Sequence, residues 1–347
     1  MKTLKPANHY APEPDPGMVF DLLVGPVRLA VLDAALQMDM TAILEKESSP
    51  KGIAEILHAE NGTDNLVHFL DAMAAMGFAK KKDGEYTNTP FATTYLRKES
   101  PTYLGGMVQN LSHMQHRNLG RIPELIRQGP PEVKRQDRLD GEERWKQSVR
   151  HLASYQKAGM ADFVADTVAS LPEFATMRRM LDIGCGPGLM CMAVVKRHPV
   201  MQGVLCDLPP VLEVAREEIT AAGLEDRIST IAGNYNEVDF GHDYDLIWAS
   251  QTLYYIRDFA AMFSRLHDTL APGGVFISFH EGLTCERTQP PGVVLSRLSL
   301  ALEGQDVSFD QGQIAAYLPG AGFSSVEVHA LDLPQGPMEL IIARKGK

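Results

Sequence analysis

The sequence predicts an α/β protein in two parts. A doubly wound sheet of seven strands ends in an antiparallel hairpin and is preceded by a mostly helical half with a small hairpin of its own. Three observations predict this. From residue 180 onward, apolar runs suited to buried strands alternate with segments suited to crossover helices. The first run, Met180-Leu181-Asp182-Ile183, breaks into Gly184-Cys185-Gly186-Pro187-Gly188, and the Pro-free residues 189–196 then start a helix. The last two runs, 326–331 and 338–343, are joined by Leu333-Pro334-Gln335-Gly336-Pro337, too short for a crossover.

In the first half, residues 1–17 carry Pro6, Pro12, Pro14 and Pro16, which favour an extended arm. From Met18 the apolar residues Phe20, Leu23, Val24, Val27, Val31, Leu32, Ala35 and Leu36 recur at helical spacing, and Pro26 predicts a kink or break. This helix is more apolar than one buried face requires, which predicts burial against a second copy of the chain. Helices over 51–59 and 64–76 follow, the latter ending at Gly77, a fitting C-cap. Residues 78–81 and 85–88 flank the turn dipeptide Asp83-Gly84, so helices leading into a hairpin spell a winged-helix arrangement. A winged helix suggests DNA. The segment that would enter the groove, however, carries Asp64 and Asp71 and no Lys or Arg, whereas phosphate and guanine contacts call for cations.

Residues 100–180 read as helices connecting the halves, with a charged loop over 129–141. They hold His113, Gln115, His116, Arg117, Arg121, Arg144, Arg150, His151 and Tyr155, a density of polar and cationic groups suited to a substrate pocket. If the substrate is anionic, one of Arg117, Arg121, Arg144 or Arg150 is expected to hold it by a bidentate guanidinium contact.

In the second half, strands are predicted over 180–183, 203–206, 228–232, 244–249 and 275–279, with a helix over 258–270 and another over 311–318. A strand, a glycine turn and a helix start make a nucleotide-type site, because a side chain there would hold the backbone away from a ligand. A dinucleotide fingerprint would put its third glycine at position 189, which is Leu189, so pyrophosphate binding is disfavoured. Asp207 ends the second strand, 19 residues past Gly188, where a carboxylate can accept from two ribose hydroxyls. Together these imply adenosine without a pyrophosphate, held by Asp182, Gly184, Gly186, Gly188, Asp207 and Leu208. Asn234 and Tyr235, after strand three, are expected at the adenine edge and face, and Ser250 ends strand four beside Gln251.

The 347 residues suit two domains, and the net charge of -11, with no basic run longer than Lys80-Lys81-Lys82, argues against nucleic acid as the main partner. The four cysteines, Cys185, Cys191, Cys206 and Cys285, lack ligand-pair spacing, so neither metal nor disulfide is expected. No segment has the length and apolarity of a signal or a membrane span, which predicts a cytoplasmic protein that does not associate with membranes.

With Asp182-x-Gly-x-Gly-x-Gly, Asp207, Gly233-Asn234, Leu270-Ala271-Pro272-Gly273-Gly274 and the final hairpin, the chain resembles the class I S-adenosylmethionine-dependent methyltransferases. Its first half, with Leu32-Asp33-Ala34-Ala35-Leu36 and Phe91-Ala92-Thr93-Thr94-Tyr95-Leu96, is similar to the dimerisation domain of the caffeate and acetylserotonin O-methyltransferase family. The resemblance spans nearly the whole chain. It implies a Rossmann-like sheet, S-adenosylmethionine as cofactor with S-adenosylhomocysteine as product, a small-molecule acceptor, and a homodimer. The implied divisions are a winged-helix-like dimerisation domain over 1–100, a helical connector over 101–170, and the cofactor-binding domain over 171–347.

In two places the chain departs from that family. The family's general base is a His followed by Asp and an aromatic residue beyond strand four, which here falls on Tyr254-Tyr255-Ile256; its adenine-contacting Asp is Asn234. A tyrosine with a pKa of about 10 is a poor base for a phenol of similar acidity, where the deficit at neutral pH is ~4 kcal/mol. A thioether sulfur has no proton to lose. The expected reaction is therefore base-free S-methylation of a small thioether acid such as 4-methylthio-2-hydroxybutyrate, like the S-methyltransferases of dimethylsulfoniopropionate synthesis. Tyr254 and Tyr255 would turn faces or hydroxyls toward the sulfonium being made. His280 joins them as a catalytic candidate, while His113, His116, Arg121, His151, Tyr155 and Gln251 line the substrate site. The alternatives are O-methylation of a phenolic or polyketide-like substrate with one of these histidines relocated as base, and a catalytically silent cofactor-binding subunit.

Overall fold

The structure is a computed structural model that describes residues 16–131, 142–334 and 336–347, apart from the side chains of Glu60 and residues 142–145. Most of the arm expected over 1–17 and of the loop expected over 129–141, and the Arg144 side chain, lie outside the described residues. The chain divides into two compact units, 1–105 and 106–347, so most of the segment expected as a connector belongs to the second.

In the first unit, helix α1 (Gly17–Gln37) runs unbroken through Pro26. Proline removes one hydrogen-bond donor, and Leu22, whose carbonyl loses it, is 69% exposed, so that carbonyl is accessible to solvent in the single chain. Helices α2 (Met40–Leu44), α3 (Pro50–Ile56) and α4 (Thr63–Ala75) follow. Ser49 caps α3 by accepting from the Gly52 N–H at 3.1 Å, with Pro50 at its first position. Strands β1 (Ala79–Lys82) and β2 (Glu85–Asn88) pair antiparallel about Asp83 and Gly84. Both turn residues have positive φ, 53° and 86°, as a two-residue hairpin turn requires. Tyr86 is fully buried and donates to Asp71 at 2.7 Å, fixing β2 to α4, before α5 (Pro90–Tyr95) closes the unit.

The second unit opens with α6 (Gly105–His116), α7 (Ile122–Gln128), α8 (Glu142–Tyr155) and α9 (Ala161–Ala169); a π-turn, Gln156–Met160, joins the last two. Strands and helices then alternate: β3 (Arg179–Ile183), α10 (Leu189–Arg197), β4 (Gln202–Asp207), α11 (Pro209–Ala222), β5 (Ile228–Ala232), β6 (Tyr244–Ser250), α12 (Phe259–Thr269) and β7 (Leu270–His280). After β8 (Gly282–Leu283), α13 (Pro291–Leu302), β9 (Phe309–Asp310) and α14 (Gln313–Tyr317), the chain ends in the hairpin β10 (Ser325–Leu333) and β11 (Gly336–Arg344). The seven-stranded sheet has the order β10-β11-β7-β6-β3-β4-β5, and all strands run parallel except β11, which is antiparallel to both its neighbours.

The sheet is buried on both faces, which explains its near-continuous apolar runs. Alternate residues divide between two cores: Met180, Leu205, Trp248 and Ile277 pack toward α9 and α10, and Leu181, Val204, Ile247 and Phe276 toward α12 and α14. The chain builds outward from β3 through β4 to β5, then returns to the other side of β3 with β6. That reversal opens a crevice at the carboxyl ends of β3, β4 and β6, where ligands of such sheets bind. Among the described residues no helix is long and apolar enough to cross a membrane.

Candidate active site

The glycine turn leaves β3 at this crevice, with Gly184, Gly186 and Gly188 at φ 63°, 55° and 76°. A Cβ at Gly184 would sit 2.0 Å from the Thr252 hydroxyl, so glycine here lets the turn close on the loop after β6. At Gly186 the nearest obstacle to a Cβ is Leu152 of α8, at 3.3 Å, which leaves a narrow cradle between helix and turn. The Gly184 N–H donates to the Cys206 carbonyl at 2.8 Å, and the Gly186 N–H to Asp207 Oδ2 at 2.9 Å, binding the turn to the end of β4.

Two buried carboxyl groups flank the turn. Asp207 also accepts from the Leu208 N–H at 2.7 Å. Burial raises its pKa to about 6 against the opposing pull of these two N–H groups. Asp182 is held well above the ordinary carboxylate range, by burial first and by the Asp207 charge second, and its Oδ2 has no hydrogen-bond partner in the protein. An orphaned buried acceptor beside a cradle and a ribose-type carboxylate suits a ligand that brings hydrogen-bond donors. Leu208 is half-buried and packs against Val149, Val211 and Val214, which seats α8 on α11.

Two expected adenine contacts are differently disposed. The Tyr235 ring is buried in the core, and its hydroxyl donates to the Thr252 carbonyl at 2.7 Å; it supports the loop after β6 rather than offering a face to adenine. Burial pushes that hydroxyl far above its ordinary pKa. The Asn234 amide oxygen accepts from the Asn236 backbone and side chain, each at 3.0 Å, closing the turn; its amide NH2 lies 3.5 Å from Glu237. Ser250 is half-buried at the end of β6.

His280 is excluded as an acid, base or substrate ligand. Its Nε2 accepts from the N–H groups of Thr252 and Leu253, both at 3.1 Å, so its proton resides on Nδ1 and is directed to Ser278 Oγ at 2.9 Å. Burial lowers its pKa to about 3. The ring thus holds the loop that carries Tyr254, satisfying two buried backbone donors.

Tyr254 is also committed. Its hydroxyl lies 3.0 Å from Gln251 Oε1, donates to Glu281 Oε2 and accepts from Arg297 Nη2 at 3.0 Å. Phe309 stacks on its ring at 4.9 Å, and the Arg297 guanidinium lies over it at 4.6 Å. Burial, then the Glu281 charge, drives its pKa well above 10, so it stays protonated. A cationic sulfonium docking on this ring would meet a guanidinium, which overturns the expected role of its face. Tyr255 is 57% exposed, with its ring edge-on to Tyr254.

Glu281 and Arg297, which the sequence did not single out, form a pair at 2.7 Å with both side chains mostly buried. Burial pushes Glu281 up, but Arg297 and the Tyr254 hydroxyl outweigh it, so the carboxylate stays ionised. Their signals were available: Glu281 lies two residues past the strand expected over 275–279, and Pro290-Pro291 before an apolar run marks the start of the unassigned helix α13. Gln251, at φ 54°, joins this group, its Oε1 3.4 Å from Arg297.

Helix α8 supplies the opposite wall. Leu152 reaches the glycine turn, and Tyr155 is close enough to Glu281 to feel its charge; burial and that charge push Tyr155 up to about 12. His151 lies one turn before Tyr155 on the same face. It is half-buried against Gly106, where a Cβ would fall 2.1 Å from Nδ1, and burial lowers its pKa. The remaining candidates lie apart from this group. His113 and His116 are exposed on α6, with His116 Nδ1 3.2 Å from Ser112, and Arg121 pairs with Glu124 at 2.8 Å on the surface. Arg117 pairs with Glu303, and Arg150 with Glu217 at 2.5 Å, so the expected anion clamps already hold carboxylates of the chain.

Comparison with known proteins agrees with this geometry. Residues 180–274 match the methyltransferase domain family. The chain is 25% identical to the 3-hydroxy-5-methyl-1-naphthoate 3-O-methyltransferase of Streptomyces sahachiroi, over 90% of each chain. It is 23% identical to the tetracenomycin polyketide synthesis 8-O-methyl transferase TcmO of Streptomyces glaucescens, over 95% of this chain and 97% of that one. The structure of human N-acetylserotonin methyltransferase in complex with S-adenosylmethionine superposes with a TM-score of 0.78 at 20% identity, covering 98% of this chain and all of that one.

Fold, turn and buried carboxylates define a class I S-adenosylmethionine-dependent methyltransferase acting on a small molecule. Within that class, the chain is similar over nearly its whole length to O-methyltransferases of the acetylserotonin and polyketide type.

Proposed function

We propose that this enzyme methylates a hydroxyl group on an aromatic small molecule, with His151 as the general base. The observation that carries the reading is the placement of α8. One helix sets Leu152 against the glycine turn, Tyr155 beside Glu281 and, one turn before Tyr155 on the same face, a half-buried imidazole whose lowered pKa leaves it neutral at pH 7. The Streptomyces relatives are named for O-methylation of a hydroxynaphthoate and of a tetracenomycin polyketide, which supports an aromatic hydroxyl over a thioether. The thioether reading rested on the missing histidine at position 254, and a base on α8 removes that objection.

Asp182, the glycine turn, Asp207 and the loop around Asn234 would hold the cofactor, which when bound supplies an electrophilic methyl group and leaves as S-adenosylhomocysteine. Holding acceptor and donor in line can account for ~7–11 kcal/mol of barrier reduction. His151 removes the proton at the acceptor oxygen, offsetting the ~4 kcal/mol deficit of an un-ionised phenol. Tyr254, locked by Glu281 and Arg297, walls the acceptor rather than taking a proton.

The test is a panel of 2-naphthol, catechol and a methylthio hydroxy acid, followed by a pH–rate profile. The aromatic hydroxyls are expected to turn over, with kcat/KM rising through a limb below pH 6.5 as His151 loses its proton. In His151→Ala the limb vanishes and the rate falls by on the order of 10²–10⁴. Turnover of the thioether alone, with no such limb, would restore base-free sulfur methylation; no turnover with cofactor binding intact would leave a silent cofactor-binding subunit.

We also propose that residues 1–100 form a homodimer through α1. Met18, Phe20, Leu22, Leu23 and Val27 are each more than half exposed, an apolar surface that water disfavours and that a second copy would cover.

A further inference from the structure

Three features of the wall around Tyr254 bear on which acceptors fit. Its one guanidinium among the described residues, Arg297, lies 2.7 Å from Glu281, and the pair is mostly buried. Of the other ionisable groups around it, Tyr254 and Tyr155 are kept neutral by pKa values raised by burial, and His280 and His151 by values lowered by it, while the charged Asp310, next to Phe309, is paired with Arg287 and Lys146 on α8 with Glu213. The connector arginines Arg117, Arg121 and Arg150 lie apart from this wall, and each pairs with a carboxylate of the chain. In a low-dielectric setting a buried carboxylate repels an incoming anion, and the cation that would attract that anion is already taken by Glu281.

We infer that the Glu281–Arg297 pair sets the charge specificity of the acceptor site: it masks the guanidinium, so that the site admits a neutral hydroxylated ring and rejects one bearing a carboxylate beside the reacting hydroxyl. Glu281 is the selecting residue. Removing its charge unmasks Arg297 and converts the same wall into a carboxylate site, since a planar guanidinium recognises a carboxylate by two parallel hydrogen bonds. This rests on the reading of the acceptor as an aromatic hydroxyl compound.

The experiment is calorimetric titration of the full chain, saturated with S-adenosylhomocysteine, with 2-naphthol and with 3-hydroxy-2-naphthoate. Wild type is expected to bind the neutral naphthol at least tenfold more tightly. In Glu281→Gln the order reverses, with the hydroxynaphthoate gaining tenfold or more, and Arg297→Gln added to that variant abolishes the gain. Unchanged preference in Glu281→Gln, or a gain that survives loss of Arg297, overturns the proposal. Affinity for S-adenosylhomocysteine reports whether each variant is folded. If Glu281→Gln alone does not fold, the double variant, a neutral pair of similar shape, must show the wild-type discrimination reduced to within a few-fold; retained discrimination overturns the proposal. If wild type binds neither probe but Glu281→Gln binds the hydroxynaphthoate, the masking stands and the aromatic-acceptor reading falls. If no variant binds either probe, both fall.

Discussion

Asp207 faces two opposing demands. Burial favours its neutral form, raising its pKa from 3.8 to about 6, whereas a ribose hydroxyl donating to it favours the charged form. In the folded protein without ligand the group therefore holds its proton to higher pH than in the unfolded chain. Its ionisation costs stability as pH rises from about 4 to 6, and cofactor binding offsets that cost. Affinity for S-adenosylhomocysteine is accordingly expected to weaken by up to about tenfold per pH unit below pH 6. Calorimetry should find this dependence flattened in Asp207→Asn, and affinity at pH 7 lower by tenfold or more in Asp207→Ala. An unchanged Asp207→Ala would remove Asp207 from the cofactor site. The histidines show why residue type alone did not identify the base. His280 and His151 are both withdrawn from solvent, but His280 spends its lone pair on two backbone N–H groups, a fact of loop closure that no local sequence pattern displays.

At the scale of elements, α1 carries the sharpest expectation. A 21-residue helix with only Ala35 and Leu36 buried gains little from its own unit. Burying one large apolar side chain contributes about 1.5–3 kcal/mol, so covering several of them in a dimer yields substantial association energy. Light scattering should report a dimer for the full chain, and Leu22→Glu with Leu23→Glu should shift it toward monomer while cofactor affinity is retained. A monomeric wild type would refute the assignment. Periodicity made most elements legible: β3, β4 and β5, the hairpin around Asp83-Gly84 and the terminal hairpin lie within a residue or two of expectation. Helix α13 went unassigned, although Pro291 and its apolar residues marked it, and with it went Arg297.

For the whole molecule, the residues proposed to hold the cofactor all lie in the second unit, at the ends of β3, β4, β5 and β6. Ligand binding to the native state alone stabilises by about 2.7 kcal/mol at a hundredfold excess over Kd. Hydrogen exchange with and without S-adenosylhomocysteine should therefore slow most at residues 182–188, 206–208 and 250–254, with the first unit little affected. Protection spread evenly over both units would contradict a cofactor site built within residues 106–347.

By itself the sequence determined the sheet, the glycine turn and the two carboxylates of the proposed cofactor site, because these depend on short spacings: alternation along a strand, glycine where φ is positive, an acid at the end of the next strand. The tertiary structure alone decided the acceptor side. Tyr254, Glu281, Arg297 and His151 come from four segments of the chain, and even the hydrogen-bonded pair Tyr254 and Arg297 is 43 residues apart. Whether each is charged, masked or free depends on burial and on partners contributed by other segments, which no spacing along the chain encodes.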